Sequence, residues 1–161
     1  YKACKKDGAD VAVGSRYVKG GKVENWPAIR VTISKGASIY TRLLTFMPVK
    51  DPTAGFVCYS NYVLQAINFD QISFVGYAFQ IEMKFATWKL GFRIKEVPIT
   101  FIDRQFGASK MNKGIVKEGI FGVLKLKWMS MFKNYRYRVK NYGENLQDSH
   151  VTALQENSTS L

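Results

Sequence analysis

The chain is 161 residues long, enough for one domain or for one domain with a tail. Hydrophobic residues make up 47% and charged residues 22%, which supports a buried core and excludes a chain disordered throughout. Lys and Arg number 24 against 12 Asp and Glu, and the single histidine excludes a Ser–His–Asp triad or a multi-histidine zinc site within this sequence. Cys4 and Cys58 form no CxxC pair and no disulfide framework, which reads as a reducing compartment.

The N-terminus lacks an initiator Met and an apolar signal core, and reads as a basic helix end entered mid-stride, so a fragment of a longer chain is expected. Asp10 to Arg16 reads as a short buried strand ending in a Gly-Ser turn. Gly14, Gly20 and Gly21 mark the next segment as a loop. Ala28 to Phe46 has helical spacing, with Ile29, Ile33, Ala37, Tyr40 and Leu44 on one face and Pro48 and Pro52 beyond its end. Asp51 to Tyr59 is a polar turn leading into a strand-like stretch, and Asn61 caps a short helix, Tyr62 to Ile67. Gly76 to Gly91 reads as a helix with Phe79, Met83, Ala86 and Leu90 inward and Gly91 past its end. Phe92 to Phe101 alternates as a strand, Asp103 to Lys113 is a Gly/Ser/Lys loop, and Ile115 to about Lys133 is helical. Beyond Asn141 the polar, aperiodic sequence reads as disordered. The alternation of strands and helices predicts an α/β fold. The longest uncharged run, Pro52 to Phe69, carries Pro, Gly, Asn, Ser and Gln and does not qualify as a membrane span.

The charge is concentrated. Residues 104–140 carry 10 basic side chains and one acidic, so most of the net +12 lies in that stretch and points to a polyanionic partner. In the 103–110 loop, Arg104, Gly107, Ser109 and Lys110 combine two cations, a hydroxyl and a flexible backbone, which suits a flap closing over phosphate; a solvated basic loop is the plainer alternative. Arg16 ends a strand, and Arg30 and Ser34 stand one helical turn apart on one face, so the three could hold a phosphate; ordinary surface cations would look the same. Asp51 and Glu82 could each orient a cation or a sugar hydroxyl, against the plainer readings of a turn-forming Asx and a helix-face charge. The helix 115–133 is apolar nearly all round, with Lys117, Lys125, Lys127 and Lys133 interrupting it. A helix lying in a membrane interface fits that pattern as well as one packed on its own domain. The basic Tyr135 to Lys140 tail would add attraction to anionic lipid. A basic nucleic-acid-binding module is the competing class, but no RRM, KH or zinc signature accompanies the aromatics.

The strings ADVAVGSRYVKGGKVENWP, Arg30-x-x-x-Ser34, PVKDPTAGFVCY, GYAFQIEM, KLGFRIKEVPITFIDRQFGASKM and GVLKLKW, in this order over about residues 8 to 130, resemble the C-terminal half of the polyprenol-phosphate (dolichyl-phosphate) mannose synthases of glycosyltransferase family 2. The resemblance implies the C-terminal part of a GT-A fold without its N-terminal nucleotide-binding half. Residues 1–112 would belong to that domain, 113–140 to a basic interfacial helix and tail, and 141–161 to a disordered tail. It implies inverting transfer of mannose from GDP-mannose to polyprenyl phosphate by an enzyme peripheral at the inner, cytoplasmic face of a membrane. A related hexose such as glucose is the alternative sugar, and no nucleic-acid partner is implied. Arg16, Arg30 and Ser34 would bind the acceptor phosphate. Arg104, Gly107, Ser109 and Lys110 would form the donor flap, with Arg104, Asp51 and Glu82 the candidate catalytic residues. Mg²⁺ or Mn²⁺ is implied for the complete enzyme, with ligands outside this chain. Val57 departs from the pattern, in which many members carry an Arg after the Gly-Phe of that turn.

Overall fold

The computed structural model describes residues 1–103 and 113–136. Its elements, in chain order, are α1 (Lys2–Lys6), β1 (Val11–Ser15), β2 (Lys22–Glu24), α2 (Ala28–Thr45), β3 (Val57–Tyr59), α3 (Asn61–Ala66), a 3₁₀ turn at Phe69–Gln71, α4 (Gly76–Lys89), β4 (Ile94–Pro98), β5 (Thr100–Ile102) and α5 (Lys113–Met129). The chain is α/β with one mixed and one parallel sheet, as the alternation predicts. β1 is central in a three-stranded sheet, antiparallel to β3 and parallel to β4. β2 and β5 pair in parallel as a second small sheet.

Most element bounds fall within two residues of the sequence reading, and the differences have local causes. The single strand expected over 92–101 is two strands in two sheets. Pro98 has no N–H to continue a ladder. The next amide, Ile99 N–H, donates to Ser15 O, while Ile99 O accepts from Lys22, so the chain switches sheets at this point. β2, three residues long, carries no periodic signal of its own. The N-cap of α3 is Ser60 rather than Asn61, and the Ser60 hydroxyl donates to Asp10 O instead of capping. α5 ends at Met129, a turn before the expected end. α2 closes with Phe46 in the left-handed region at φ 59° and α4 with Gly91 at φ 85°, the latter as expected past the helix end. Gly21 is required by space: a Cβ there would stand 2.6 Å from Ser15 O, so the loop after β1 can fold flat against the strand end.

α4 divides the core. On one side Ile81, Phe85 and Ala86 pack with Met47, Val49, Val123, Leu126 and Tyr135. On the other, Met83 packs with Val11, Val13, Ala54, Val63 and Ile67. Residues 81–87 are consequently buried without interruption, more than the expected inward set of Phe79, Met83, Ala86 and Leu90.

α2 departs further from its sequence pattern. Its buried residues are Ser34, Ser38, Thr41 and Thr45. Ile33, Tyr40 and Leu44 are half-buried, but Ile29 and Ala37, expected inward, are exposed. The Ser38, Thr41 and Thr45 hydroxyls each donate to the carbonyl four residues back, at 3.0, 2.8 and 2.7 Å, so the hydroxyls are satisfied within the helix. No helix among the described residues is long and apolar enough to cross a membrane.

Candidate active site

The site is built at the C-terminal end of β1. Gly14 lets the strand pass close to its neighbours: a Cβ would sit 2.9 Å from the Phe56 ring and 3.1 Å from Ile99. The next residues, Ser15 and Arg16, meet the turn at 51–54. Asp51 is fully buried and takes three bonds from Arg16: from the backbone N–H at 3.0 Å to Oδ2, from Nε at 2.7 Å to Oδ2, and from Nη2 at 2.7 Å to Oδ1. Arg16 Nη2 also donates to Thr53 Oγ1 at 2.9 Å. Such a two-pronged pair fixes the plane of the guanidinium as well as its position. Burial would lower the Arg16 pKa, but hydrogen bonding and charge from Asp51 outweigh it and hold the pKa above its ordinary value.

The acid below this pair is also committed. Glu96 of β4 accepts the Lys50 amide on Oε2 at 2.8 Å and the Asp51 amide on Oε1 at 2.9 Å. Lys84 of α4 completes the support from beneath, donating to Ala54 O at 2.6 Å and Gln80 O at 3.0 Å. Its side chain is wholly buried, and that burial, only partly offset by Asp51 and Glu96, lowers its pKa to about 7.

Arg30 and Ser34 approach Arg16 through aromatic rings. The Arg16 guanidinium lies 5.1 Å from the Tyr17 ring centroid, 5.5 Å from Trp26 and 5.9 Å from Phe101. The Tyr17 hydroxyl donates to Ser34 Oγ at 2.7 Å. Arg30 stacks over Trp26 at 3.9 Å and pairs with Asp103 at 2.8 Å. Trp26 thus carries both arginines, and the Arg30 Nε is buried with no hydrogen-bond partner among the described residues. Arg16, Arg30 and Ser34 are brought into one cluster whose contents are two guanidinium groups, a hydroxyl and an aromatic wall. That set can hold an anion and lay an apolar group against the rings.

The remaining candidates fall elsewhere. Glu82 belongs to a different network: Oε2 accepts the Ser73 and Phe74 amides at 2.8 and 2.9 Å, and Oε1 accepts Lys133 Nζ at 2.8 Å. Lys133 also donates to Gln71 O and Ser73 Oγ, so this network ties the end of α5 to the 71–74 segment. Glu82 is fully buried in it, bonded to neither Arg16 nor Asp51. Arg104, Gly107, Ser109 and Lys110 lie outside the described residues, although Arg104 directly follows Asp103, which Arg30 holds. Among the described residues no group of three or more His, Cys, Asp or Glu side chains could hold a metal ion. Val57 sits within β3, paired with Val13.

Sequence reasoning missed Tyr17, Trp26, Glu96 and Lys84. The first two had a usable signal, being aromatics in a loop that follows a strand-end arginine. Lys84 had only its setting between Met83 and Phe85, which marks a cation inside an apolar run.

No family model matches the chain. Curated relatives do match, among them the following three. The undecaprenyl-phosphate mannosyltransferase of Micrococcus luteus is 44% identical over 131 residues, covering 81% of this chain and 54% of that protein. The polyprenol monophosphomannose synthase of Mycolicibacterium smegmatis is 44% identical over 116 residues, covering 72% and 44%. The dolichol-phosphate mannosyltransferase of Pyrococcus furiosus is 38% identical over 126 residues, covering 76% and 34%. The class these define is glycosyltransferase. The chain is homologous over most of its length to the polyprenyl-phosphate mannosyltransferases, as the sequence strings indicate. It spans about half the length of the first of these relatives, or less of the others.

Proposed function

We propose that this chain is the C-terminal part of a GT-A glycosyltransferase, peripheral at the inner face of a membrane, that transfers mannose from GDP-mannose to polyprenyl phosphate with inversion. The observation that carries the reading is the 44% identity over 131 residues to a protein named for mannosyl transfer with undecaprenyl phosphate. The relatives extend well beyond the matched region, and we assign the nucleotide-binding half to that extra length. By itself, then, this chain has no transferase activity.

Arg16, Arg30 and Ser34 hold the acceptor phosphate in this reading. A phosphate monoester has its second ionisation near about 6, so the acceptor oxygen is already anionic at neutral pH and attacks the anomeric carbon without a general base. Catalysis becomes alignment of a phosphate nucleophile beside a diphosphate leaving group and neutralisation of their mutual repulsion. Asp51 acts one step back, fixing the guanidinium of Arg16 through three bonds. Glu82 serves the 71–74 segment instead. Arg104 and Lys110, with Gly107 and Ser109, close over the donor diphosphate. Mg²⁺ or Mn²⁺ would supply further charge neutralisation at that diphosphate. Asp51 and Glu96 are committed to Arg16 and to backbone amides, so we assign no metal ligand to this chain.

The test is transfer from GDP-mannose to polyprenyl phosphate by the complete polypeptide, with this chain alone as the negative control. Arg16→Ala and Arg30→Ala each lower transfer by roughly 100-fold. Arg30→Lys, which keeps the charge but not the fork, recovers part of it. Wild-type transfer by both alanine variants would show that the acceptor site is misassigned.

A further inference from the structure

A cavity of about 370 Å³ opens beside this cluster, sharing Arg16 and Tyr17 with it, and is also lined by Lys35, Ser38, Ile39, Arg42 and Lys50. Neither Arg30 nor Ser34 lines it. Residues 35, 38, 39 and 42 follow the i, i+3, i+4, i+7 spacing that puts them on one face of α2. Lys50 comes from the segment that leads into the 51–54 turn. Three cations therefore converge on one opening, beside Ser38, whose hydroxyl donates to Ser34 O.

Their charge is uncompensated. Lys35, Arg42 and Lys50 have no acidic side-chain partner among the described residues. The two acids bonded around Lys50 are committed elsewhere: both Asp51 oxygens are on Arg16, and both Glu96 oxygens are on the Lys50 and Asp51 amides. Other cations on this basic surface also lack an acidic partner; what marks an anion's place here is that three of them meet at one concavity. The cavity is also large enough for a phosphoryl group and the atoms that carry it, since a water occupies about 30 Å³ of liquid.

We infer that this pocket is a second phosphate-binding site, adjoining the Arg30–Ser34 cluster through Arg16 and Tyr17, and that its ligand is the phosphodiester headgroup of an anionic membrane lipid. The wall gives the source. Ile39 lines the pocket and is 56% exposed, and Leu43 and Phe46 continue the apolar stripe at 68% and 72%. A soluble phosphate has no use for that stripe, whereas a headgroup enters the pocket with its chains against it. The inference shares Arg16 and the contact of α2 with a bilayer with the proposed function, so its test varies Lys35, Arg42 and Lys50, none of which the acceptor site uses.

The test uses the full chain, vesicles of phosphatidylcholine with 30% or no phosphatidylglycerol, and soluble glycerol phosphate. The triple variant Lys35→Gln, Arg42→Gln, Lys50→Gln is compared with Lys2→Gln, Lys6→Gln, Lys89→Gln, which removes the same charge from exposed positions elsewhere. The pocket variant is expected to lose at least tenfold more affinity for the anionic vesicles than the control, and Lys35→Arg, Lys50→Arg to retain it. Thermal melting checks that both triple variants stay folded. A pocket-specific loss seen with glycerol phosphate but not with vesicles keeps the phosphate site and overturns the lipid as its source. Equal losses from the two triple variants would reduce the effect to diffuse attraction and overturn the site. A pocket-specific loss of RNA binding with vesicle binding unchanged would overturn it as well.

Discussion

Helices α2 and α4 follow opposite rules. α4 buries everything from Ile81 to Thr87, including two side chains that would carry charge, and α2 buries four hydroxyls while exposing Ile29, Ile39, Leu43 and Phe46. Hydropathy explains neither. α4 lies between two core clusters, so each polar group on it is buried and must be matched: Glu82 by two amides and Lys133, Lys84 by two carbonyls. α2 packs against α5 and turns its small side chains inward, which lets Ser34 meet Tyr17 and leaves Ile29, Ile39 and Leu43 outside. One helix holds the frame and the other presents a surface.

The largest expected effect comes from breaking the match on α4. Glu82→Ala leaves Lys133 and the Ser73 and Phe74 amides without their acceptor. Removing one member of such a buried pair costs about 3–5 kcal/mol, read as a fall in the urea midpoint at unchanged slope. A loss below about 1 kcal/mol would mean that the 71–74 segment and the end of α5 are held by other contacts.

A middle-sized effect separates Lys84 from the ordinary lysines. Its folded pKa is lowered to about 7 from the ordinary 10.5 of a lysine, with burial the largest cause. Between those values the unfolded chain keeps a proton that the folded chain has released, so stability rises with pH through that window. The rise is at most about 1.4 kcal/mol per pH unit, or roughly 2 kcal/mol between pH 7 and 9. Unfolding curves at pH 7, 8 and 9 should show this gain in the wild type and not in Lys84→Met. Parallel pH profiles for the two proteins would mean that Lys84 remains an ammonium ion throughout.

How much of this was legible follows from the same comparison. The α/β order and most helix bounds were readable, because Gly, Pro and strand periodicity act locally. The strand-end position of Arg16 and the i, i+4 placement of Arg30 and Ser34 were readable for the same reason. What joins those three is not local: Asp51 and Trp26 reach Arg16 from 35 and 10 positions away in the chain, and neither partner has a spacing rule. The inward face of α2 was misread because apolar spacing was taken to mean core, whereas tertiary position put Ser34, Ser38, Thr41 and Thr45 inside. Lys84 was missed because helix-face lysines are solvated in most settings, and only the two-sided packing of α4 removes the water.

The smallest stability effect is expected on α2, and it bears most directly on what that helix is for. Leu43 is 68% exposed and touches neither core cluster, so Leu43→Ser should leave the unfolding free energy within about 0.5 kcal/mol of wild type. An exposed leucine alone needs no explanation, since folded surfaces contain many. A stripe of Ile39, Leu43 and Phe46 does, because α5 exposes Phe121, Leu124 and Trp128 and packs against the same helix. The two exposed faces, bordered by Arg42 and Lys127, have the composition of a surface that rests on a bilayer. Leu43→Ser should therefore lower partitioning onto anionic vesicles several-fold at unchanged stability. Unchanged partitioning would assign the stripe to something other than lipid, and a drop in stability of more than about 1 kcal/mol would mean that Leu43 is packed rather than free.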